Sequence, residues 1–231
     1  MANHALIVGG TQGLGRHLAA ALLARGDTVT ITGRDKKRTE AVAAELGKGA
    51  SGIALDLTDP HSVKSALGHL PQVRYVAIAA IDRDSNTVRD YDVARAIKLT
   101  TMKLVGYTAV IHSLVPKLTD DASVILFGGL AKEKPYPGST TVTAVNGAIA
   151  TMVRTLAIEL APVRVNAIHP GIVGDSPAWK DKADALDRVI KRTPTGRLVA
   201  MADITGAALF LFDNPSINGV NLDVDGGWLM G

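Results

Sequence analysis

Short apolar runs alternate along the chain with longer stretches in which apolar residues recur every three to four positions. The runs ALIVGG, TVTITG, YVAIAA and SVILFGG each close on glycine, alanine or a polar turn. Their period and length predict strands at about residues 5–10, 28–33, 50–57, 75–80, 123–129, 163–168 and 220–225. The intervening stretches predict helices at about 13–25, 36–46, 60–69, 93–118, 141–161 and 203–213. This strand–helix alternation implies a mostly parallel sheet covered by helices on both faces and joined by right-handed crossovers. The expected fold class is therefore α/β, a doubly wound parallel sheet of about seven strands.

No repeat, low-complexity tract or linker divides the 231 residues, so a single domain is expected. The one long stretch that reads as irregular, PGIVGDSPAWKDKADALDRVIKRTPTGR at 170–197, follows the sixth strand. A segment in that place covers a ligand in folds of this kind, and it is expected to be a substrate lid.

Composition removes several classes of function. A hydrophobic content of 47% against 20% charged residues suits a large buried core. The 25 basic and 22 acidic side chains leave a formal charge of +3, too small and too scattered for a nucleic-acid footprint. The absence of cysteine rules out a disulfide, a thiolate nucleophile and a thiolate-bound metal, and no other metal site is indicated. No basic leader precedes the first apolar run, and no apolar run approaches the roughly 20 residues that span a bilayer, so a soluble, cytoplasmic protein with no membrane partner is expected.

Chemistry enters at ALIVGGTQGLGRHLAAALLARG, where Gly9, Gly13 and Gly15 lie between a strand and an amphipathic helix. Glycine permits the tight turn and the close approach of backbone to a pyrophosphate, and the helix N-terminus favours the negative charge. The spacing is G-x-x-x-G-x-G. With VGGTQGLG, ALDLTD, VRVNAIHPGIV, PTGRL and GVNLDVDGG in that order, it resembles the short-chain dehydrogenase/reductase family over essentially the whole chain.

That resemblance implies a Rossmann-type fold and a nicotinamide dinucleotide. It places cofactor contacts at Gly9, Thr11, Gln12, Gly13, Leu14 and Gly15, at Asp56 and Leu57 near the adenine, and at Ala79 and Ala80 after the fourth strand. Further contacts fall on Asn146, Pro170, Gly171, Val173 and Ser176; Asp175 stands where many relatives carry a threonine. A carboxylate ending the second strand would hold the ribose 2′-hydroxyl of NAD, but TVTITGRDKKR places Gly33 and then Arg34 there. A guanidinium grips a 2′-phosphate, so NADP(H) is expected; Lys36 and Lys37 read as the solvated start of a helix capped by Asp35.

The family's usual Asn, Ser, Tyr and Lys fall on Lys103, Gly129, Val142 and Asn146, so all four positions depart from the pattern. Lysine stands at the asparagine position and asparagine at the lysine position, an exchange of roles across one cavity. Lys103 is the candidate proton donor or oxyanion stabiliser, against the alternative that it snorkels from a surface helix. Asn146 is the candidate ligand for the nicotinamide ribose. Tyr136 and His169 are the other donors to consider.

Two functions stay open. One is an NADPH-dependent oxidoreductase that passes hydride to an activated carbonyl, enone, iminium or quinone small molecule. The other is a cyclase, isomerase or dehydratase, or a non-catalytic NADP(H)-binding protein, on the same scaffold. The resemblance also implies a homodimer or homotetramer, with ITGAALFLF and the terminal DVDGGWLMG as candidate contact surfaces.

Overall fold

The central apolar runs become the strands of one sheet because they bury both faces, while the edge strands at 50–54 and 221–224 are only partly covered. The structure is a computed structural model that describes residues 2–82, 84–179 and 183–231. Strands β1 (His4–Val8), β2 (Thr28–Gly33), β3 (Ala50–Ala54), β4 (Val73–Ile78), β5 (Leu118–Phe127), β6 (Arg164–Pro170) and β7 (Asn221–Val224) lie in the order β3-β2-β1-β4-β5-β6-β7. Every neighbouring pair is parallel.

Successive residues of one strand enter opposite cores. Leu6, Val8, Val76, Ile78, Val124 and Leu126 pack on one side, and Ala5, Ile7, Tyr75, Ala77, Ile125 and Phe127 on the other. This two-sided burial is why the strands read as continuous apolar runs rather than alternating ones. Helices α1 (Gly13–Ala24), α2 (Lys36–Leu46) and α8 (Met201–Asp213) cover the second face. The first is covered by α3 (Val63–Ala66), α4 (Val93–Thr100), α5 (Tyr107–Leu114) and α6 (Thr140–Glu159). The doubly wound α/β architecture is that expected from the sequence.

Three expectations change. The stretch 93–118 is not one helix: α4 passes into a π-helical segment, Thr101–Gly106, before α5 and a 3₁₀ turn at Val115–Lys117. Gly106 touches Leu57 there so closely that a Cβ would lie 2.5 Å from the Leu57 carbonyl oxygen. Second, 60–69 is a 3₁₀ turn, Pro60–Ser62, followed by the single turn of α3.

Third, 170–197 is not irregular throughout. It holds a 3₁₀ turn at Pro177–Trp179 and a helix, α7 (Ala183–Arg192), while Lys180, Asp181 and Lys182 lie outside the described residues. Charged side chains spaced for pairing support α7, with Asp187 and Lys191 2.8 Å apart at i,i+4.

Strand order reverses between β1 and β4, and that reversal opens a crevice at the carboxyl ends of these strands. The glycine turn sits on it. Gly9 has φ +85°, and a Cβ there would lie 2.7 Å from the Ala80 amide nitrogen; one on Gly15 would lie 2.3 Å from the Gly9 carbonyl oxygen. Glycine is thus required at both positions by contact with backbone.

Candidate active site

Two regions of the crevice carry distinct chemistry. At the end of β2, a Cβ on Gly33 would meet the Thr11 methyl at 2.5 Å and the Thr39 hydroxyl at 2.7 Å. A carboxylate-bearing side chain at that point would have to displace the side chains of Thr11 and Thr39. Arg34 follows with its side chain 65% exposed, and Arg38 donates to Gln12 Oε1 at 2.7 Å. Asp35 caps α2 by accepting from the Arg38 amide. The turn therefore presents backbone, a threonine and two guanidinium groups to the crevice. An open cleft of about 760 Å³ adjoins it, lined by Gly13, Arg16, His17, Ser176 and Met201 among others.

The second region lies where β4 and β5 end. Lys103 is in the π-helical segment and is 3% exposed, so it does not snorkel to solvent. Its amine donates to the Tyr107 hydroxyl and to the Phe127 carbonyl, each at 2.8 Å. Tyr107 in turn donates to the Ala80 carbonyl at 2.7 Å. The amine and the phenol thus link Ala80, just past β4, to Phe127, the last residue of β5. Burial lowers the Lys103 pKa to about 7 and raises that of Tyr107, because each charged form would lose water without gaining an opposite charge. Tyr107 falls within the helix expected at 93–118 and is not among the sequence candidates; its i,i+4 spacing from Lys103 is the available signal.

Asn146 is on the buried face of α6, which packs against the π-helical segment. Its Nδ2 lies 2.8 Å from where a Cβ on Gly129 would stand. Val142 is one turn earlier on α6, at the edge of the core. The structure thus gathers Lys103, Gly129 and Asn146 around the end of β5.

The other donor candidates have different surroundings. His169 is 0% exposed. Its Nδ1 accepts from the Gly129 amide at 3.1 Å, which leaves Nε2–H to donate to Asn221 Oδ1 at 2.9 Å. Burial lowers its pKa, and this neutral imidazole ties β6 to β7 and to the end of β5. Tyr136 is 54% exposed on a turn that Ser139 closes through its hydroxyl. Among the described residues neither bonds to Lys103 or Tyr107, and His169 meets the site only through the Gly129 amide.

Of the remaining sequence candidates, Asp56 accepts from the amide and hydroxyl of Thr58 and shapes the turn after β3. Leu57 and Val173 are core residues that leave only backbone to a ligand. Asp175 accepts from the Met201 amide and caps α8, while Ser176 lines the cleft beside Gly13. Pro170 ends β6, and Gly171 lies against Asp225, where a Cβ would come within 2.8 Å of its Cα.

A family model described as enoyl-(acyl carrier protein) reductase matches residues 8–229. The chain belongs to the short-chain dehydrogenase/reductase family. Within this family of oxidoreductases it is 30% identical to 2,5-dichloro-2,5-cyclohexadiene-1,4-diol dehydrogenase LinX of Sphingobium indicum, over 98% of this chain and 96% of the relative. A structure of 3-ketoacyl-(acyl-carrier-protein) reductase from Brucella melitensis complexed with NADH is 26% identical, with a TM-score of 0.87 and coverage of 98% of both chains. One of a small-chain dehydrogenase in complex with NADPH is 27% identical, with a TM-score of 0.86 and full coverage of both. The short-chain dehydrogenase/reductase fold thus extends from β1 through β7.

Proposed function

We propose that this chain is an NADPH-dependent reductase whose substrate is a small molecule with an already activated acceptor: a conjugated enone, an iminium, a quinone or an activated carbonyl. Support for the cofactor comes from Gly33 and Arg34. The position where a carboxylate would hold a 2′-hydroxyl is filled by Thr11 and Thr39, and a largely exposed guanidinium follows it. The backbone cradle at Gly9 and Gly15 suits a pyrophosphate. When bound, the dinucleotide supplies the hydride.

The observation that carries the choice of substrate class is the character of the acid. Valine at 142 and glycine at 129 offer no hydroxyl, and the four positions on which the family resemblance places the usual catalytic residues carry Lys103, Gly129, Val142 and Asn146. What remains is one buried amine, held by Phe127 and Tyr107, with a pKa near neutrality. As an ammonium it polarises or protonates a developing anion, an effect of roughly 10²–10⁴-fold for a positioned general acid. Acceptors that delocalise charge need no more than this. Asn146 offers its amide to the ribose on the cofactor side.

The protein acts as a single cytoplasmic domain in a homodimer or homotetramer. The test is NADPH consumption with enone, iminium and quinone acceptors, with NADH as control and Lys103→Ala alongside. Stoichiometric oxidation of NADPH that Lys103→Ala abolishes supports the reading. Product formed without NADPH consumption replaces it with isomerase, cyclase or dehydratase chemistry, and binding without turnover of any acceptor replaces it with a non-catalytic role.

A further inference from the structure

Arg34 does not stand alone at the mouth of the crevice. The Asp82 carboxylate, on the loop after β4, approaches from the other side: its Oδ2 is 4.0 Å from Arg34 Nη1 and 2.8 Å from Lys98 Nζ on α4. A single carboxylate oxygen is therefore shared by two cations that come from opposite sides of the switch point, one from the end of β2 and one from α4. Asp82 is 32% exposed at its side chain, and both cations are at least half exposed, so the cluster is open to a solute.

From this we infer that Asp82 is an internal anion that competes with the 2′-phosphate for Arg34, and that Lys98 is the counter-ion that draws Asp82 aside. The inference rests on the NADPH reading above and adds a specificity-determining pair to it. A phosphate held by Arg34 stands within a few ångströms of Asp82, where two negative charges repel. Lys98 already makes the shorter contact, so a small turn of Asp82 towards it removes the repulsion and leaves Arg34 to the phosphate. NADH carries no charge at that place and is indifferent to the pair.

The geometry also links the adenosine end of the crevice to the catalytic helix. Asp82 is four residues before Asn86, whose backbone bonds to Gly138 and Thr140 at the start of α6 and whose side chain bonds to the Asp92 backbone ahead of α4.

The test is a fluorescence titration of NADPH and NADH against the wild type and the Asp82→Asn, Lys98→Gln and Arg34→Ala variants. Expected are a tightening of NADPH by about two- to fivefold in Asp82→Asn, the scale of an exposed ion pair, and a comparable weakening in Lys98→Gln, with NADH unchanged in both. Asp82→Asn that leaves NADPH affinity unchanged, weakens it, or shifts both nucleotides alike overturns the inference. Arg34→Ala reports separately on the parent reading: if it leaves NADPH affinity intact, the 2′-phosphate is not bound at Arg34 and both conclusions fall.

Discussion

Asn146 and Gly129 occupy one another's space: the Asn146 amide nitrogen lies 2.8 Å from the point where any side chain on residue 129 would begin. The backbone at Gly129 is extended, with φ −175°, and accepts any residue. What forbids a side chain there is the amide alone. The glycine and the asparagine are therefore a matched pair.

Replacing Gly129 by Ser should destabilise the protein by about 1–3 kcal/mol through overpacking. The cost should fall by half or more when Asn146 is first reduced to Ala. Urea denaturation of the two single variants and the double variant measures the coupling, and strictly additive costs would show that the two positions are independent.

Lys103 makes stability depend on pH in a set direction. Its pKa is about 7 in the folded chain against 10.5 when free, so between these values the unfolded chain binds more protons. The folded state should gain stability as pH rises from 7.5 to 9.5, by at most about 1.4 kcal/mol per pH unit. Lys103→Met should remove this contribution. Denaturation midpoints of the two proteins across that range check it, and parallel profiles would contradict it.

Tyr107→Phe removes an acceptor of the Lys103 ammonium and orphans the Ala80 carbonyl. A cost of about 0.5–1.5 kcal/mol is expected from the hydrogen bond lost at this partly buried carbonyl. The ammonium also loses a partner, so its pKa falls further and the alkaline limit of the proposed NADPH-dependent reduction should move to lower pH. A pH–rate profile separates this from simple destabilisation, which lowers activity without moving the limit.

His169→Ala should cost about 2–4 kcal/mol, because a fully buried side chain is removed and the partly buried Gly129 amide and Asn221 both lose their partner. The wild-type imidazole has a lowered pKa, so its contribution is complete above pH 6.5 and is lost as pH falls through the lower folded value. Chemical denaturation at pH 5 and pH 7.5 should show the variant closing the gap on the wild type at the lower pH. A gap that stays constant would mean that the imidazole does not titrate on unfolding.

The sheet was legible because burial on both faces leaves an unmistakable apolar run, and the glycine turn because backbone contact at Gly9 and Gly15 admits no other residue. Helix α7 was hidden by composition: ADALDRVIKR is so charged that it reads as loop until its i,i+4 pairing is noticed. The π-helical segment was not legible, since TMKLVG carries no residue that forces a wider turn; only the contact between Gly106 and Leu57 reveals why the chain is close there. Lys103 was visible as a candidate, but whether its amine turned inward depended on Tyr107 and the Phe127 carbonyl, 24 residues away along the chain. Asp82 offered no signal, because its meaning comes from two cations on separate elements.

The widened turn at Thr101–Gly106 has a consequence for how such a site arises. A π-helical turn amounts to one additional residue accommodated within an α-helix. Because the wide turn absorbs that residue, deleting one of Leu104, Val105 or Gly106 would restore a regular coil and leave the phase of α5 as it is. Tyr107, Val110, Ile111 and Leu114 would keep their places in the core, while Lys103 and Tyr107 would stand three residues apart instead of four. The extra residue, and not side-chain chemistry alone, thus sets where the amine meets its phenol, and a length change of one residue in this helix would alter the chemistry while sparing the packing.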